Sequence, residues 1–330
     1  MTEDTAGAVL VTGGAGYIGS HVVLALADCG REVVVLDDLS TGHADAVPPS
    51  ARLVVGSVGD RALVRRVIGE TGVTSVLHFA ASISVEESVG DPLGYYANNT
   101  VNSHALIASC VAAGIRHFIF SSTAAVYGAG AGEQLAETAP TEPINPYGAS
   151  KLMTERMLRD TAAATGLGTV ILRYFNVAGA DPAGRAGERR QVASHLLDVA
   201  TQVALGRRPF LSIFGTDYDT PDGTCVRDYI HVSDLAAAHV SALAYLERGG
   251  AGTTLNCGYG SGASVREVVE RVGAIAGRAL PVQPAPRRAG DPPRLVADPA
   301  LIHAVLGWRP RHGDLDTIIR TALAWERKRG

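Results

Sequence analysis

The chain reads as an α/β protein: its first half is a doubly wound parallel sheet, and its second half adds a smaller C-terminal lobe. Three observations predict this. Short apolar runs alternate with helix-length segments through the first half. A glycine-rich turn joins the first run to the first helix, and the alternation breaks after Gly179.

The elements follow in order. Ala8–Val11, Glu32–Leu36, Arg52–Val55, Ser75–Leu77, His117–Phe120 and Val170–Leu172 are short apolar runs between turn residues, the pattern of buried strands. Between them, Tyr17–Cys29, Arg61–Thr71, Pro92–Ala113 and Pro146–Thr165 have the length and apolar spacing of helices. Beyond Gly179, Gly184–Arg190 and Gly215–Gly223 are rich in glycine and charge, and Pro281–Pro293 holds five prolines; all three are expected to be loops. Helices are expected at Asp234–Leu246, Val265–Ile275, Pro299–Leu306 and Asp314–Lys328. There is no internal repeat, low-complexity tract or flexible linker.

Composition narrows the function classes. A chain of 330 residues, 46% hydrophobic and 19% charged, has the material for a large core and two lobes sharing one body. Lys and Arg number 29 against 33 Asp and Glu, a net charge of −4, so no basic field draws nucleic acid or anionic lipid. No apolar run approaches the roughly 18 residues of a membrane span. Met1–Gly7 has neither the basic nor the apolar region of a secretory leader, which points to a cytoplasmic protein. Cys29, Cys110, Cys225 and Cys257 are scattered without metal-ligand spacing and are expected to be reduced, buried thiols.

Val9-Leu-Val-Thr-Gly-Gly-Ala-Gly-Tyr-Ile-Gly19 places Gly13, Gly16 and Gly19 between a strand and a helix. The first glycine permits the tight turn, the second lets a pyrophosphate approach the backbone, and the third lets helix and strand close. The unpaired N–H groups where the helix opens, around Tyr17 and Ile18, then hold phosphates. The second strand ends Val35-Leu-Asp37, where a carboxylate can accept both hydroxyls of an adenosine ribose. A 2′-phosphate there would meet the charges of Asp37 and Asp38, so NAD is favoured over NADP.

Tyr147-Gly-Ala-Ser-Lys151 puts a phenol and an ammonium four residues apart, on one face of a helix. A phenol near its ordinary pKa of about 10 is a poor base, and a neighbouring cation stabilises its phenolate. Lys151 can also bind the nicotinamide ribose. Upstream, Phe120-Ser-Ser-Thr-Ala-Ala-Val-Tyr127 offers hydroxyls from Ser121 to Thr123 at the carboxyl end of a strand, where open α/β sheets bind ligands. Thr123 can hydrogen-bond a sugar hydroxyl that is being deprotonated.

With these residues in this order, the chain resembles the extended short-chain dehydrogenase/reductase family, built on a Rossmann sheet, and within it the UDP-hexose 4-epimerase branch. The resemblance extends through His78-Phe79-Ala80, Tyr95–Asn99, Arg173–Gly179, Gly206–Arg208, Ile213–Gly215, Gly223–Leu235 and Ala285–Asp291. It implies a Rossmann domain over residues 1–178 and about 231–257, with a substrate-binding lobe at 179–230 and 258–330. It also implies resident NAD, a homodimer and galactose metabolism, the dimer pairing the helices at Pro92–Ala113 and Pro146–Thr165. In this reading Tyr147 takes the proton from the sugar 4′-hydroxyl, Thr123 relays or orients, and Lys151 tunes Tyr147. Cofactor contacts carried over by the resemblance fall on Ser57, Val58, Phe79, Ala80, Asn98, Ser121 and Tyr174. Substrate contacts fall on Asn176, His195, Leu196, Phe214, Arg227, Arg288, Asp291 and Leu295. Arg227 and Arg288 take the diphosphate, a forked, charge-assisted contact that needs no globally basic protein.

Four positions depart from the pattern. Ser57 stands where the family usually has an aspartate contacting adenine, and Ile83 replaces a lysine that some members place near the cofactor phosphates. His195 replaces an asparagine near the diphosphate, and Leu295 replaces a tyrosine that lines the sugar pocket in one subgroup. A nucleotide-sugar dehydratase would need a carboxylic acid pair directly after the strand-end threonine, where this chain has Ala124 and Ala125. A catalytically dead NAD-sensing protein would not require Tyr147, Lys151, Arg227 and Arg288, and a reductase that releases NADH is distinguished by feeding NADH with a keto substrate.

Overall fold

The computed structural model describes residues 7–130, 132–189, 195–288 and 291–329. Met1–Ala6, Arg190 and the Ala289-Gly290 pair of the proline-rich segment lie outside the described residues.

Strands β1 (Ala8–Thr12), β2 (Val33–Asp37), β3 (Arg52–Val55), β4 (Val73–His78), β5 (His117–Thr123), β6 (Gly168–Tyr174) and β10 (Thr253–Cys257) form a seven-stranded sheet in the order β10-β6-β5-β4-β1-β2-β3. β1 runs parallel to β2 and β4, β2 to β3, and β4 to β5. The order reverses between β1 and β4, the switch point at which doubly wound sheets open a crevice at the strands' carboxyl ends. Leu10, Leu36, Val76, Phe118, Phe120 and Ile171 from the strands form one core. They pack with Val64 of α2 (Arg61–Thr71), Leu106 of α5 (Asn102–Ala112) and Leu158 of α6 (Pro146–Thr165).

The segment Pro92–Ala113, expected as one helix, is three. A short turn, α4 (Pro92–Tyr95), passes into a π-helical stretch at Tyr96–Val101 and then into α5. Polar side chains take up the locally disturbed backbone: the Asn99 carbonyl accepts from Ser103 Oγ at 2.5 Å and from Thr154 Oγ1 at 3.4 Å. Residues Val85–Gly90 form a further helix, α3, that apolar spacing did not reveal.

The chain folds as two compact units, 1–126 with 141–173 and 236–255, and 127–140 with 174–235 and 256–330. In the second unit, β9 (Val226–His231) is central, flanked by β7 (Asn176–Ala178), β11 (Gly262–Ser264) and β13 (Arg294–Leu295). Its core joins Leu197 and Val203 of α7 (Leu196–Ala204), Val268 and Val272 of α9 (Val265–Ala276) and Ile319 and Leu323 of α11 (Leu315–Arg329). The helices expected at Asp234–Leu246 and Pro299–Leu306 are α8 (Val232–Glu247) and α10 (Ala300–Leu306). Pro281–Pro293, expected as loop, contains β12 (Val282–Ala285), which pairs in parallel with β8 (Leu211–Phe214). Proline is tolerated there because the pair has only two strands and each strand keeps an open edge. Cys110, Cys225 and Cys257 are buried free thiols, whereas Cys29 is exposed at the end of α1 (Tyr17–Asp28).

Candidate active site

The glycine turn closes against the switch point. Gly13 has φ +70°, and a Cβ there would lie 2.6 Å from the Ala80 nitrogen; a Cβ on Gly19 would lie 2.1 Å from the Gly13 carbonyl oxygen. A Cβ on Gly16 would meet only the Gly13 oxygen, at 3.3 Å, so this face of the turn is open. Tyr17 and Ile18 open α1, in the first turn where helix N–H groups lack intrahelical acceptors. Phe79 and Ala80, half-buried, continue from β4, and the Phe79 N–H donates to the Thr12 carbonyl at 2.9 Å.

Asp37 ends β2 with its carboxylate already ordered. Oδ2 accepts from the Ala15 N–H and Oδ1 from the Leu39 N–H, each at 2.9 Å. Burial raises its pKa above the ordinary carboxylate value, and the two N–H bonds oppose that rise. Each oxygen keeps a lone pair for a further donor, and the cradle fits the adenosine half of NAD. Ser57, half-buried, is committed to a local turn, accepting from the Gly59 N–H at 3.1 Å; Val58 beside it is buried. Asn98 donates to Ser82 Oγ at 2.9 Å from the π-helical stretch.

Tyr147 and Lys151 are both buried on α6. Asn145 caps that helix, accepting from the Gly148 N–H at 2.8 Å, and Pro146 occupies its first turn. A Cβ on Gly148 would lie 2.6 Å from the Ala125 carbonyl, so only glycine lets α6 press against the turn that follows β5. Three consecutive residues at the end of β5 then have their polar groups engaged. The Ser121 carbonyl accepts from Lys151 Nζ at 3.0 Å, Ser122 Oγ donates to Glu155 at 2.5 Å, and Thr123 Oγ1 accepts from the Ala125 N–H at 3.1 Å. That last bond leaves the Thr123 hydroxyl hydrogen available to an outside acceptor. Burial pushes the Lys151 pKa down to about 7, against the opposing pull of Glu155. His78 lies nearby, between Thr12 Oγ1 at 2.7 Å and Ser103 Oγ at 2.8 Å; burial, then the Lys151 charge, pushes its pKa down to about 3, so it stays neutral.

In the second unit, Arg227 stands on β9 directly beside Leu295 of β13, and its guanidinium lies 3.5 Å from the Asp291 carboxylate. The neighbouring carboxylates are committed elsewhere. Asp228 accepts from the Tyr259, Gly260 and Ala297 N–H groups, and Asp234 accepts from the Tyr259 hydroxyl and the Arg311 and His312 N–H groups. Arg288 is exposed and places its guanidinium 3.9 Å from the centre of the Phe214 ring. The Asp291 N–H donates to the Arg288 carbonyl at 3.3 Å, so Phe214, Arg227, Arg288 and Asp291 form one connected group. Asn176 begins β7, half-buried, and Tyr174 ends β6. His195 is exposed as the residue before α7, where Leu196 begins, and its side chain does not cap the helix.

Sequence reasoning passed over Asn99, Glu155 and Arg173 as individual residues. Asn99 is buried and grips the Ser82 backbone from both sides, its Oδ1 accepting at 2.8 Å and its Nδ2 donating at 2.9 Å. Glu155 and Arg173 form a fully buried ion pair. The available signal was a charged residue four positions after Lys151, on the same helix face.

Residues 9–258 match the model of the NAD dependent epimerase/dehydratase family, and the chain belongs to that family. A UDP-glucose 4-epimerase of Azospirillum brasilense is 60% identical over 329 residues, covering 99% of this chain and 94% of that protein. Among solved structures, the UDP-glucose 4-epimerase of Brucella ovis in complex with NAD is 47% identical with a TM-score of 0.94, over 97% and 98% of the two chains. The UDP-Glc/GlcNAc 4-epimerase of Campylobacter jejuni is 44% identical with a TM-score of 0.85, over 98% and 99%.

Proposed function

We propose that this chain catalyses NAD-dependent C4 epimerisation of a UDP-hexose, interconverting UDP-glucose and UDP-galactose through a transient 4-keto sugar. The observation that carries the reading is the arrangement of Tyr147, Lys151 and Thr123, with Lys151 Nζ bonded to the Ser121 carbonyl four residues after Tyr147 on α6. The 60% identity to a UDP-glucose 4-epimerase over nearly the whole chain supports it. Bound NAD would supply a reversible hydride acceptor for C4 of the hexose, able to serve either face of the sugar ring.

The chain's own residues do the rest. Gly13, Gly16 and Gly19 admit the pyrophosphate of NAD, and Asp37 takes the ribose hydroxyls and excludes a 2′-phosphate. Tyr147 Oη removes the proton from the 4′-hydroxyl and gives it back, while Lys151 holds the phenolate by its charge. Thr123 Oγ1, its hydrogen available, orients the oxygen that changes hybridisation. Arg227 and Arg288 bind the diphosphate, Asp291 the uridine ribose, and Phe214 lies against the uracil. Binding energy spent on UDP leaves the hexose free to turn.

The reading includes a cytoplasmic homodimer. No helix among the described residues is long and apolar enough to cross a membrane. Val89, Leu93, Val101 and Met153 of the α3–α6 region are 46% to 78% exposed, an apolar face that suits a second copy.

The test is to incubate the purified protein with UDP-galactose, without added cofactor or reductant, and to assay UDP-glucose. Conversion is expected, and Tyr147→Phe is expected to lower kcat by about a hundred- to ten-thousand-fold while NAD stays bound. Unchanged turnover in Tyr147→Phe would remove Tyr147 from the base role.

A further inference from the structure

We infer that the buried Glu155–Arg173 ion pair positions and charge-balances the Tyr147–Lys151 couple, setting the pH range in which it works. This rests on the assignment of Tyr147 and Lys151 above.

Glu155 lies one helical turn beyond Lys151 on the same face of α6, and no part of its side chain reaches solvent. Its Oε1 accepts from Ser122 Oγ at 2.5 Å and from Arg173 Nε at 2.9 Å; Oε2 accepts from Arg173 Nη2 at 2.6 Å and from Arg159. Ser122 is the residue between Ser121, which holds Lys151, and Thr123. The strand end that carries Thr123 is therefore bonded to α6 at two successive rungs, one through Lys151 and one through Glu155. A slip of α6 would break both together.

The charges matter as well as the bonds. From β6 comes Arg173, 3% exposed; from α6 itself come Glu155 and the half-exposed Arg159. From β4 comes His78, which is neutral. From the π-helical stretch comes Asn99, uncharged, donating to Ser150 Oγ at 3.1 Å. The Glu155 carboxylate is thus the negative charge that faces Lys151 from its own helix, and Arg173 is the cation that offsets it. A unit charge left unbalanced in a water-poor interior acts over several ångströms with little screening. Removing Glu155's charge exposes the couple to Arg173, which favours the phenolate of Tyr147 and disfavours the ammonium of Lys151. Both ionisations move to lower pH. Removing Arg173's charge does the reverse.

The experiment is the pH profile of kcat on UDP-galactose for the holoenzyme and three variants. Glu155→Gln keeps hydrogen-bonding atoms and is expected to shift both limbs acidward by about one pH unit. Arg173→Gln is expected to shift them alkaline by a similar amount. Arg159→Gln removes a half-exposed cation from the same carboxylate, folds without a buried charge left unpaired, and is expected to give a smaller alkaline shift. Opposite shifts from two variants that break the same ion pair cannot come from lost stability alone. Profiles that stay in place, or move the same way in Glu155→Gln and Arg173→Gln, overturn the inference. If either buried variant is insoluble, an unmoved Arg159→Gln profile overturns it. Tyr147→Phe run alongside keeps the two readings apart: if it is fully active the base assignment has failed, and if it is inactive an unmoved set of profiles counts against Glu155 alone.

Discussion

Lys151 shows how one residue is asked to oppose folding in order to work. Its ammonium is buried with a backbone carbonyl and an aromatic ring for company, Nζ lying 5.0 Å from the centre of Phe120. Burial lowers its pKa from 10.5 to about 7. A base whose folded-state pKa is depressed destabilises the fold fully below that folded value, and the penalty fades as pH rises toward the unfolded one. Lys151→Met is therefore expected to melt at a higher temperature than the parent below pH about 7, with the advantage shrinking toward pH 10.5, while losing activity. Calorimetry across that range checks it, and a variant less stable than the parent at low pH contradicts it. Leu295 sets a second expectation. Opposite Arg227 in the β9–β13 register, it is shorter and more flexible than the tyrosine of one subgroup. The chain is expected to epimerise UDP-N-acetylglucosamine more slowly than UDP-glucose, and Leu295→Tyr to abolish the larger substrate selectively, since steric exclusion exceeds the usual 10- to 200-fold or so of apolar discrimination. Comparing kcat/KM for both sugars decides it; equal losses would mean Leu295 is not the gate.

At the scale of elements, the β1–α1 turn is where sequence and geometry agree most closely. The Gly13–Gly19 spacing implied a close approach, and a Cβ on Gly19 would sit 2.1 Å from backbone. Gly19→Ala is expected to yield protein with little bound NAD, measured as nucleotide released on denaturation; a full complement of NAD would show that the turn can open at no cost. Strands with continuous Val/Ile/Leu/Phe runs were legible because both faces are buried, so the alphabet itself marks them. The second unit was less so. β9 carries Arg227, Asp228 and His231 in a strand, because its polar side chains have partners in the fold that a periodicity cannot display. β12 contains a proline that reads as loop until its parallel partner β8 is known. The π-helical stretch at Tyr96–Val101 is poor in strong helix formers, and the bonds the Asn99 carbonyl accepts from Ser103 and Thr154 are not visible in a periodicity. The candidate site residues Tyr147, Lys151, Asp37 and Arg227 came from spacing or resemblance. Glu155 and Arg173 did not, because their meaning lies in an ion pair across 18 residues of chain.

At the scale of the whole molecule, the division into two units matches a division of labour in the proposed reaction. The first unit holds the glycine turn, Asp37 and the Tyr147–Lys151–Thr123 set. The second holds Arg227, Arg288, Asp291 and Phe214, to which the proposed reaction gives the part of the substrate that does not react. Holding UDP firmly and the hexose loosely is what lets one cofactor face serve both epimers. Such a cycle takes hydrogen from C4 and returns that same hydrogen, with nothing exchanged at carbon with water. The most direct measurement follows the hydrogen itself: UDP-galactose carrying deuterium at C4 is turned over by the purified protein in ordinary water, and the UDP-glucose formed is read by mass spectrometry. Hydride transfer returned without exchange predicts that the deuterium stays at C4 of the product. Product that has lost its deuterium to solvent would contradict it.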